Sequence, residues 1–477
     1  MFALFGKGEI LGNKNEIPIK KKHQQNSNIV SLNNLKLENL IKPLEIKSVN
    51  DKKKLRVLFC GTYPIGQSNG YSRVVYYISK HLGIYHDLQT TIYGFQNYNQ
   101  TAGGDQRNEI PSNIILHDAL ATEDPKRHGF GEKEIGTFLK NNPQDIIIIF
   151  NDMVVTSSIA ATIIKEFSEE ERKSFKLVSY MDQVYPYQKP IYIDLLNKYF
   201  DAVITFTSYW RDTVRKLGLK KEIPCYIFPH GFDYNLYYPI NKTISRIFYS
   251  IPENAFVILQ LNRNQPRKRL DHTFIAYAQV VKKYYDLTQS PNNQYIRPLK
   301  LMIASMIDGF WNLIEVFDSE LKILGVPIEF GRECIVALAK PQQMSDRDIN
   351  ILYNACDIGL NTCEGEGFGL CQFEHAALGC PQVAPKLGGI QEFLNNTNST
   401  LIEPKWRYYI DKQRDGIGGI AEIGDTTDYA DAIWKYYTTP SLVLQHGMKA
   451  RKDILQHYKW DVLVNHLHNI IIDITKK

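Results

Sequence analysis

The sequence predicts an α/β protein with two doubly wound, mainly parallel sheets, and three observations support this. Short apolar runs typical of buried strands alternate with longer amphipathic stretches typical of helices. The alternation begins abruptly at Leu55 and restarts near residue 242, after the aromatic junction FPHGFDYNLYYPINK. At 477 residues the chain is also too long for one compact core. Together these features favour two α/β domains joined by an ordered linker.

The bulk composition is that of a globular protein, with 44% hydrophobic residues and no apolar run near the roughly 20 residues of a membrane span. The start, MFALFGKGEIL, reaches Lys7 too early for a secretory signal. Seven cysteines lack paired short spacings, which argues against disulfides and a zinc site. Cys363, Cys371 and Cys380 are therefore expected to be small apolar fillers, and the protein to be cytoplasmic.

The net charge of +5 is concentrated at the N-terminus. Residues 1–54 contain 11 Lys and five acidic residues, so the remaining 423 residues carry a net charge of −1. This distribution argues against nucleic acid as a partner. The segment 1–54 is expected to be a basic, disordered tail with one short helix around LNNLKLENLI. A solvated tail is one interpretation, and weak peripheral contact with an anionic membrane is the alternative.

The first domain is predicted over residues 55–235. LRVLFCGTYP has the pattern of a buried strand that runs into a loop, and SRVVYYISKHLG has that of a helix. Further strands are predicted at TTIYGF, NIILHD, DIIIIFND, FKLVSYMD, DAVITFTS and YIFPHG. Helical or loop segments separate most of them, as a doubly wound parallel sheet requires.

The second domain is predicted over residues 236–455, with its first strand at AFVILQLNRN. The predicted elements that follow are the helix DHTFIAYAQVVKKYY, the strand LKLMIAS, a helix to Leu324, the strand CIVALAK, the helix RDINILYNAC and the strand DIGLN. The last segment, 456–477, contains WDVLVNHLHNIII, which has the spacing of an amphipathic helix. Open α/β sheets bind ligands at the carboxyl ends of their strands, so the loops GTYPIGQSNG, NRNQPRK and CEGEGFG are the candidate sites.

The stretch EGFGLCQFE is the most informative of these. Glu366 is predicted in a glycine-rich loop, and Glu374 on the helix that follows. Backbone NH groups and the positive end of the helix dipole lie between them, which suits a diphosphate, while carboxylates suit the vicinal hydroxyls of a sugar. An ordinary helix start with acids in its first turns is the alternative interpretation.

Two cations follow the strand VILQLN. Arg263 and Lys268 flank Pro266, which restricts the loop between them. Arginine supplies a forked set of donors and lysine a compact charge, so the pair is suited to a diphosphate without a metal ion. A solvated basic loop is the alternative for this segment alone.

These patterns resemble the retaining, nucleotide-sugar-dependent glycosyltransferases of family 4, whose two Rossmann-like domains face a central cleft in the GT-B architecture. Glu366 and Glu374 match that family's signature pair, and Arg263 and Lys268 match its diphosphate-binding pair. Four more segments resemble the family: AALGCPQVAPKLGGIQEF, the interdomain PHGFD, SNGYSRVV with Gly70 in its first glycine loop, and YKWDVLVNHL as a helix that crosses back to the first domain. The resemblance covers about residues 55–470 and is more specific in the second domain.

The resemblance implies a role for each matched position. Glu366 would contact the donor sugar, and Glu374 would bind the ribose hydroxyls. Arg263, Lys268 and the loop NH groups would stabilise the departing nucleotide diphosphate. The implied donor-binding positions besides Glu374 are Gly70, Gly367, Phe368, Gly369 and Leu370. In this family the leaving phosphate is usually held to take the acceptor's proton, so neither a side-chain base nor a metal or other cofactor is expected.

The first domain departs from the family pattern. Family members often have histidine after the strands matched here by DIIIIFND and VSYMD, where this chain has Asn151 with Asp152, and Met181 with Asp182. Such positions usually face the acceptor or the reacting sugar. Asp152 and Asp182 are therefore candidate acceptor-side residues, with a cap or turn role as the alternative. Asn69 also replaces the first of the family's two glycines.

Three further side chains have two interpretations each. His230 lies in the linker, where a packed or hinge histidine is favoured over a catalytic one. Tyr185 and Tyr187 are suited to stacking on an acceptor sugar, and packing is the default for both.

The predicted function is transfer of a sugar from a UDP- or GDP-sugar to an unidentified glycan, lipid or protein acceptor, with retention of configuration. A GT-B-fold epimerase or phosphorylase is one alternative, and product analysis separates it from a transferase. A catalytically weak sugar-nucleotide- or glycan-binding protein is the other, because the expected histidines are missing.

Overall fold

The computed structural model describes residues 54–67, 69–97, 107–123, 129–291, 296–341, 344–411 and 417–476. The predicted basic tail and its short helix lie outside the described residues. Within the described ranges, no helix combines the length and apolarity that a membrane span requires.

In the described part of the chain, seven parallel strands form the first sheet: β1 (Leu55–Thr62), β2 (Leu88–Phe95), β3 (Ile115–Asp118), β4 (Ile146–Asp152), β5 (Lys176–Asp182), β6 (Ala202–Thr205) and β7 (Cys225–Ile227). Their spatial order is β3-β2-β1-β4-β5-β6-β7. The order reverses between β1 and β4, which places a crevice at their carboxyl ends. Val57 and Phe59 pack into the core on one face, and Leu58 and Cys60 into the core on the other.

Helices cover both faces of this sheet, which is why its central strands β1, β4 and β5 are mostly buried. The described helices are α1 (Gly70–Leu82), α2 (Ile135–Asn141), α3 (Met153–Glu166), α4 (Glu169–Arg172), α5 (Pro190–Tyr199) and α6 (Ser208–Lys216). Asn69, where the family has glycine, caps α1, because its Oδ1 accepts a hydrogen bond from the Ser72 backbone NH at 2.8 Å.

The second sheet has six parallel strands among the described residues: β8 (Phe256–Gln260), β9 (Leu299–Ile303), β10 (Ile335–Ala337), β11 (Ile358–Leu360), β12 (Gln382–Pro385) and β13 (Thr400–Ile402). Their order, β10-β9-β8-β11-β12-β13, reverses in the same way between β8 and β11. The loops that follow β8 and β11 therefore meet at one edge of the sheet.

The helices around the second sheet are α7 (Lys242–Phe248), α8 (Leu270–Gln289), α9 (Leu313–Ile323), α10 (Ile328–Glu333), α11 (Asp346–Ala355), α12 (Leu370–Ala377), α13 (Thr426–Thr438) and α14 (Pro440–His457). A short 3-10 helix, Pro266–Lys268, follows β8, and another, Gly388–Glu392, follows β12. The two predicted parallel sheets with helices on both faces are thus present.

A hairpin interrupts the second domain in a way that the sequence did not predict. β14 (Trp406–Ile410) and β15 (Gly419–Ile423) pair antiparallel as a separate sheet. Ile410 and Ala421 pack against Val184 and Tyr185 of the first domain. The hairpin therefore belongs to the second domain in sequence and contacts both domains.

The last helix, α15 (Trp460–Lys476), packs on the first domain. The Trp460 ring stacks on Tyr77 of α1 with centroids 5.2 Å apart, and the Tyr226 hydroxyl donates to Asp473 at 2.6 Å. Where the chain crosses back, the Phe232 backbone NH donates to the Tyr458 carbonyl at 2.7 Å. The two segments that connect the domains, one at Phe232 and the other at Tyr458, thus lie side by side.

Candidate functional site

The loop between β11 and α12 is shaped by glycine. Gly369 precedes α12 with φ of +94°, a left-handed conformation that glycine adopts without the usual steric cost. The loop packs so closely on the segment after β12 that a Cβ on Gly389 would overlap the Gly367 carbonyl. From the first domain, the Trp210 Nε1–H donates to that carbonyl at 2.7 Å. Both domains therefore fix the path of this loop.

Glu366 lies in the loop beside two cations from the segment after β8. Lys268 Nζ forms an ion pair with one carboxylate oxygen, and Arg267 Nη1 lies 3.8 Å from the other. Burial opposes ionisation of Glu366, but the charges of Lys268 and Arg267 outweigh it and lower its pKa. The structure thus brings Glu366 and Lys268 together as an ionised pair.

Arg267 was not among the predicted site residues. Its Nη1 also donates to the Gly365 carbonyl at 2.6 Å, so it holds the loop as well as the carboxylate. The only sequence signal was its place in RNQPRKR, where it could not be told from its neighbours.

Arg263 differs from these cations. The residue is exposed, and its side chain forms no hydrogen bond or ion pair within the described ranges. Desolvation lowers its pKa, and the neighbouring charge of Arg267 acts in the same direction. Such a cation is suited to an anionic ligand, and a diphosphate is the chemistry that Arg263 and Lys268 together fit.

Glu374 lies on α12 and is only 3% exposed. One carboxylate oxygen forms an ion pair with Arg73 Nη1, which reaches across from α1 of the first domain. The other accepts a hydrogen bond from the Tyr353 hydroxyl at 2.8 Å. The sequence placed Glu374 on this helix, but neither Arg73 nor Tyr353 was predicted to contact it.

Arg73 belongs to a buried group of charges between the domains. Its Nη2 lies 3.8 Å from Asp346 of α11, and Arg107 of the first domain donates to the same carboxylate at 3.1 Å. Two arginines from one domain thus meet two carboxylates from the other, Asp346 and Glu374. This pairing across the cleft satisfies charges that would be costly to bury alone.

The remaining predicted donor positions lie around the same loop. A Cβ on Gly70 would lie 3.1 Å from Leu370, so the start of α1 touches the start of α12. Phe368 is buried, with its ring centroid 4.7 Å from that of His230. Gly70 and Leu370 thus face each other across the cleft, whereas Phe368 packs into the interior.

His230 lies in an aromatic environment. Its Nδ1 lies 3.2 Å from the Tyr180 hydroxyl, and burial lowers its pKa to about 3. The imidazole is therefore neutral at physiological pH and packs in the core. Tyr185 is also fully buried, against Ile410 of the hairpin, which leaves no ring face for an acceptor. Tyr187 forms a backbone bridge with Ile420.

The two acceptor-side candidates lie side by side, since Asp152 and Asp182 are paired in the register of β4 and β5. Asp152 caps α3 by accepting hydrogen bonds from the backbone NH groups of Val154 and Val155 at 2.8 and 3.0 Å. Asp182 instead accepts a hydrogen bond from the Tyr71 hydroxyl at 2.6 Å. Met181 is buried on the other side of the strand. The other oxygen of Asp182, Oδ1, is enclosed and has no hydrogen-bond partner among the described residues.

No metal ligand set was predicted. Among the described residues, no group of three or more His, Cys, Asp and Glu side chains is arranged to hold a metal ion. Metal independence stays a prediction. The cysteines predicted as fillers are free thiols, and Cys363 and Cys380 are buried.

Comparison with known proteins gives distant sequence relatives, and no protein-family profile matches the chain. D-inositol 3-phosphate glycosyltransferase from Saccharomonospora viridis is 24% identical over 232 residues, 48% of this chain and 46% of that protein. N-acetyl-alpha-D-glucosaminyl L-malate synthase from Bacillus anthracis is 24% identical over 208 residues, 41% of this chain and 49% of that protein. The chain thus spans about half the length of the curated relatives it matches.

Solved structures match over most of the chain. Sucrose-phosphate synthase from Thermosynechococcus elongatus has a TM-score of 0.60 at 14% identity, over 88% of this chain and 99% of that one. Anabaena HepE, solved in complex with UDP and glucose, has a TM-score of 0.59 at 17% identity, over 88% and 100%. A glycosyltransferase from Rickettsia africae has a TM-score of 0.62 at 16% identity, over 89% and 100%. The chain has the GT-B fold, which confirms the predicted fold class.

Proposed function

We propose that the protein is a retaining glycosyltransferase of the family 4 type, which transfers a sugar from a UDP- or GDP-sugar to an acceptor without a metal ion. One observation carries the proposal. Two carboxylates, Glu366 and Glu374, flank one glycine loop at the edge of the second sheet, and Arg263 and Lys268 come from the neighbouring strand end. The names of the similar proteins and the UDP complex of HepE support the same class of donor.

Each group has a place in the reaction. Glu374 binds the ribose hydroxyls, and Glu366 contacts the donor sugar. Arg263 and Lys268 neutralise the diphosphate as the bond between the anomeric carbon and its oxygen breaks and the electron pair moves to that oxygen. The acceptor oxygen bonds to the anomeric carbon on the same face, and its proton passes to the departing phosphate oxygen. Closure of the domains excludes water from this step.

Donor binding is the first test. We expect one of UDP-glucose, GDP-mannose or ADP-glucose to raise the melting temperature of the wild-type protein by mass action. Glu374→Ala and Arg263→Ala should lose this shift while keeping the wild-type circular dichroism spectrum. Arg332→Ala, which breaks a surface ion pair with Asp318 in the same domain, should keep it. Unchanged donor affinity in folded Glu374→Ala protein would sink the assignment.

One observation favours the second candidate, a catalytically weak sugar-nucleotide-binding protein. The two strand ends of the first domain that face the loop carry Asn151 and Met181, and neither offers an imidazole. Under this alternative the donor binds and is not cleaved, whatever acceptor is supplied. Chromatographic analysis of released nucleotide separates the two candidates, and a product epimeric to the donor sugar would indicate an epimerase.

A further inference from the structure

The first turns of α1 and α12 lie against each other across the cleft. A Cβ on Gly70 would lie 3.1 Å from Leu370, and one turn further along both helices Arg73 forms its ion pair with Glu374. Residues three or four positions apart lie on the same face of a helix, so the two contacts belong to one packed surface. Helix α1 therefore covers the face of α12 that carries Glu374.

Both oxygens of the Glu374 carboxylate are engaged in this structure. Oε1 forms the ion pair with Arg73 Nη1, and Oε2 accepts the hydrogen bond from the Tyr353 hydroxyl at 2.8 Å. Tyr353 lies on α11 of the same domain, so it stays beside Glu374 when the domains move apart. Arg73 belongs to the other domain and is the partner that can leave.

Arg73 has a second carboxylate within reach. The Arg73 side chain is 9% exposed, and its guanidinium carbon lies 5.6 Å from the centroid of the Tyr237 ring. Its Nη2 lies 3.8 Å from Asp346, which is buried on α11. Arg73 can therefore release Glu374 without leaving its own charge unpaired in the interior.

We propose that Arg73 competes with the ribose of the donor for Glu374, so that the arrangement described here is autoinhibited. The inference rests on the proposed function, in which Glu374 binds the ribose hydroxyls. A ribose hydroxyl can donate to Oε1 only after Arg73 has left it, because the guanidinium and the first turn of α1 cover that oxygen. Donor binding is therefore coupled to the release of an ion pair between the domains.

The diphosphate end of the donor site is not covered in this way. Arg263 is exposed, and its side chain has no hydrogen bond or ion pair among the described residues. A diphosphate can therefore reach Arg263 while Arg73 still holds Glu374. The affinity for a nucleotide should depend on Arg73, and the affinity for a ligand without a ribose should not.

The test measures the Kd of UDP, GDP and inorganic pyrophosphate by isothermal titration calorimetry. Arg73→Met removes the competing cation, so the Kd of the nucleotide that binds should fall by about 10-fold. The Kd of pyrophosphate should stay at the wild-type value. Arg73→Lys keeps a compact charge and loses the forked donors, so it should give an intermediate Kd for the nucleotide. This variant decides the question if Arg73→Met does not fold.

A control variant loosens the contact between the domains at another place. The Ser208 hydroxyl of the first domain donates to Glu392 of the second at 3.0 Å. Ser208→Ala removes this hydrogen bond and leaves the ion pair of Arg73 with Glu374 in place. It should bind the nucleotide and pyrophosphate as the wild type does.

The outcomes separate the inference from the function on which it rests. A nucleotide Kd that is unchanged or higher in the Arg73 variants overturns the competition and leaves donor binding standing. An equal fall in the Kd of pyrophosphate, or an equal fall of the nucleotide Kd in Ser208→Ala, assigns the effect to looser domains and overturns it as well. If neither UDP nor GDP binds to the wild type, the proposed function itself is wrong.

Discussion

Lys268 forms an ion pair with Glu366, and in the proposed site Glu366 contacts the donor sugar while Lys268 also neutralises the diphosphate. Lys268 can make both interactions, because an ammonium group carries three hydrogen-bond donors and the ion pair with Glu366 uses one of them. The residue therefore connects the sugar end of the site with the phosphate end.

Replacing this lysine should affect both ends. In Lys268→Ala, Glu366 loses its main cationic partner, so its pKa should rise, and the diphosphate loses one charge. A charge-assisted hydrogen bond contributes about 1.5–3 kcal/mol, so the Kd for UDP or GDP should rise by roughly 10- to 150-fold in isothermal titration calorimetry. Lys386→Ala, at an exposed ion pair with Glu403 of the same domain, is the control and should bind as the wild type does. Equal affinities in the two variants would remove Lys268 from the site.

At the scale of residues, the sequence predicted site residues that lie close together in the chain and missed contacts between residues far apart in it. Glu366 and Glu374 stand out because their spacing and glycines occur within nine residues. The partner of Glu374 is 301 positions away in the chain, and no local pattern connects Arg73 to it. Arg267 was missed for another reason, since a run of cations does not show which one faces the loop.

At the scale of elements, the hairpin of β14 and β15 supports the loop between β11 and α12 from outside the sheet. The Tyr408 hydroxyl donates to Glu364, which is buried, and accepts a hydrogen bond from Arg269 at 3.3 Å. Tyr409, the next residue, points to solvent. Successive residues of a strand point to opposite faces, so Tyr409 serves as the control for a substitution at Tyr408.

Tyr408→Phe should destabilise the protein, because the buried carboxylate of Glu364 loses a donor. A loss of about 1–3 kcal/mol in the free energy of unfolding is expected in urea denaturation. Tyr409→Phe should leave that free energy within about 0.5 kcal/mol of the wild-type value. Equal stability of the two variants would show that the hairpin does not support the loop.

The hairpin also shows which kind of secondary-structure element could not be predicted from the sequence. Most strands of the two parallel sheets were visible as apolar runs, because both of their faces are buried, but β12 and β13 were not predicted. β14 has the sequence WRYYI and is mostly exposed, so it lacks that signal. It pairs with β15, and β15 in turn forms a backbone bridge with Tyr187 of the first domain. Contacts of that kind are tertiary and leave no local pattern.

At the scale of the whole molecule, charged groups pair across the cleft between the two domains. Arg73 and Arg107 from the first domain meet Asp346 and Glu374 from the second. In an open cleft each of these groups regains water, which offsets much of the attraction lost. An interface of this kind favours reversible closure over a permanent contact.

Arg73→Met should shift the protein toward the open form. The substitution leaves Glu374 without its cation, and an unpaired buried charge costs more than a hydrated one. A larger radius of gyration in small-angle X-ray scattering is expected without loss of helix content. Arg56→Met breaks an ion pair with Asp145 inside the first domain and should not change the radius. Identical scattering of Arg73→Met and wild type would contradict a role in closure.

The two crossings between the domains have a mechanical consequence. The outgoing chain passes Phe232 and the returning chain passes Tyr458, and the two are joined by a hydrogen bond and by a backbone bridge between Phe232 and Lys459. Trp460 then packs against Gly231. Because the two connecting segments are hydrogen-bonded to each other, the domains resist twisting about either segment. Bending both segments in the same direction costs little. The domains are therefore expected to open and close by a hinge motion about a single axis at these two segments.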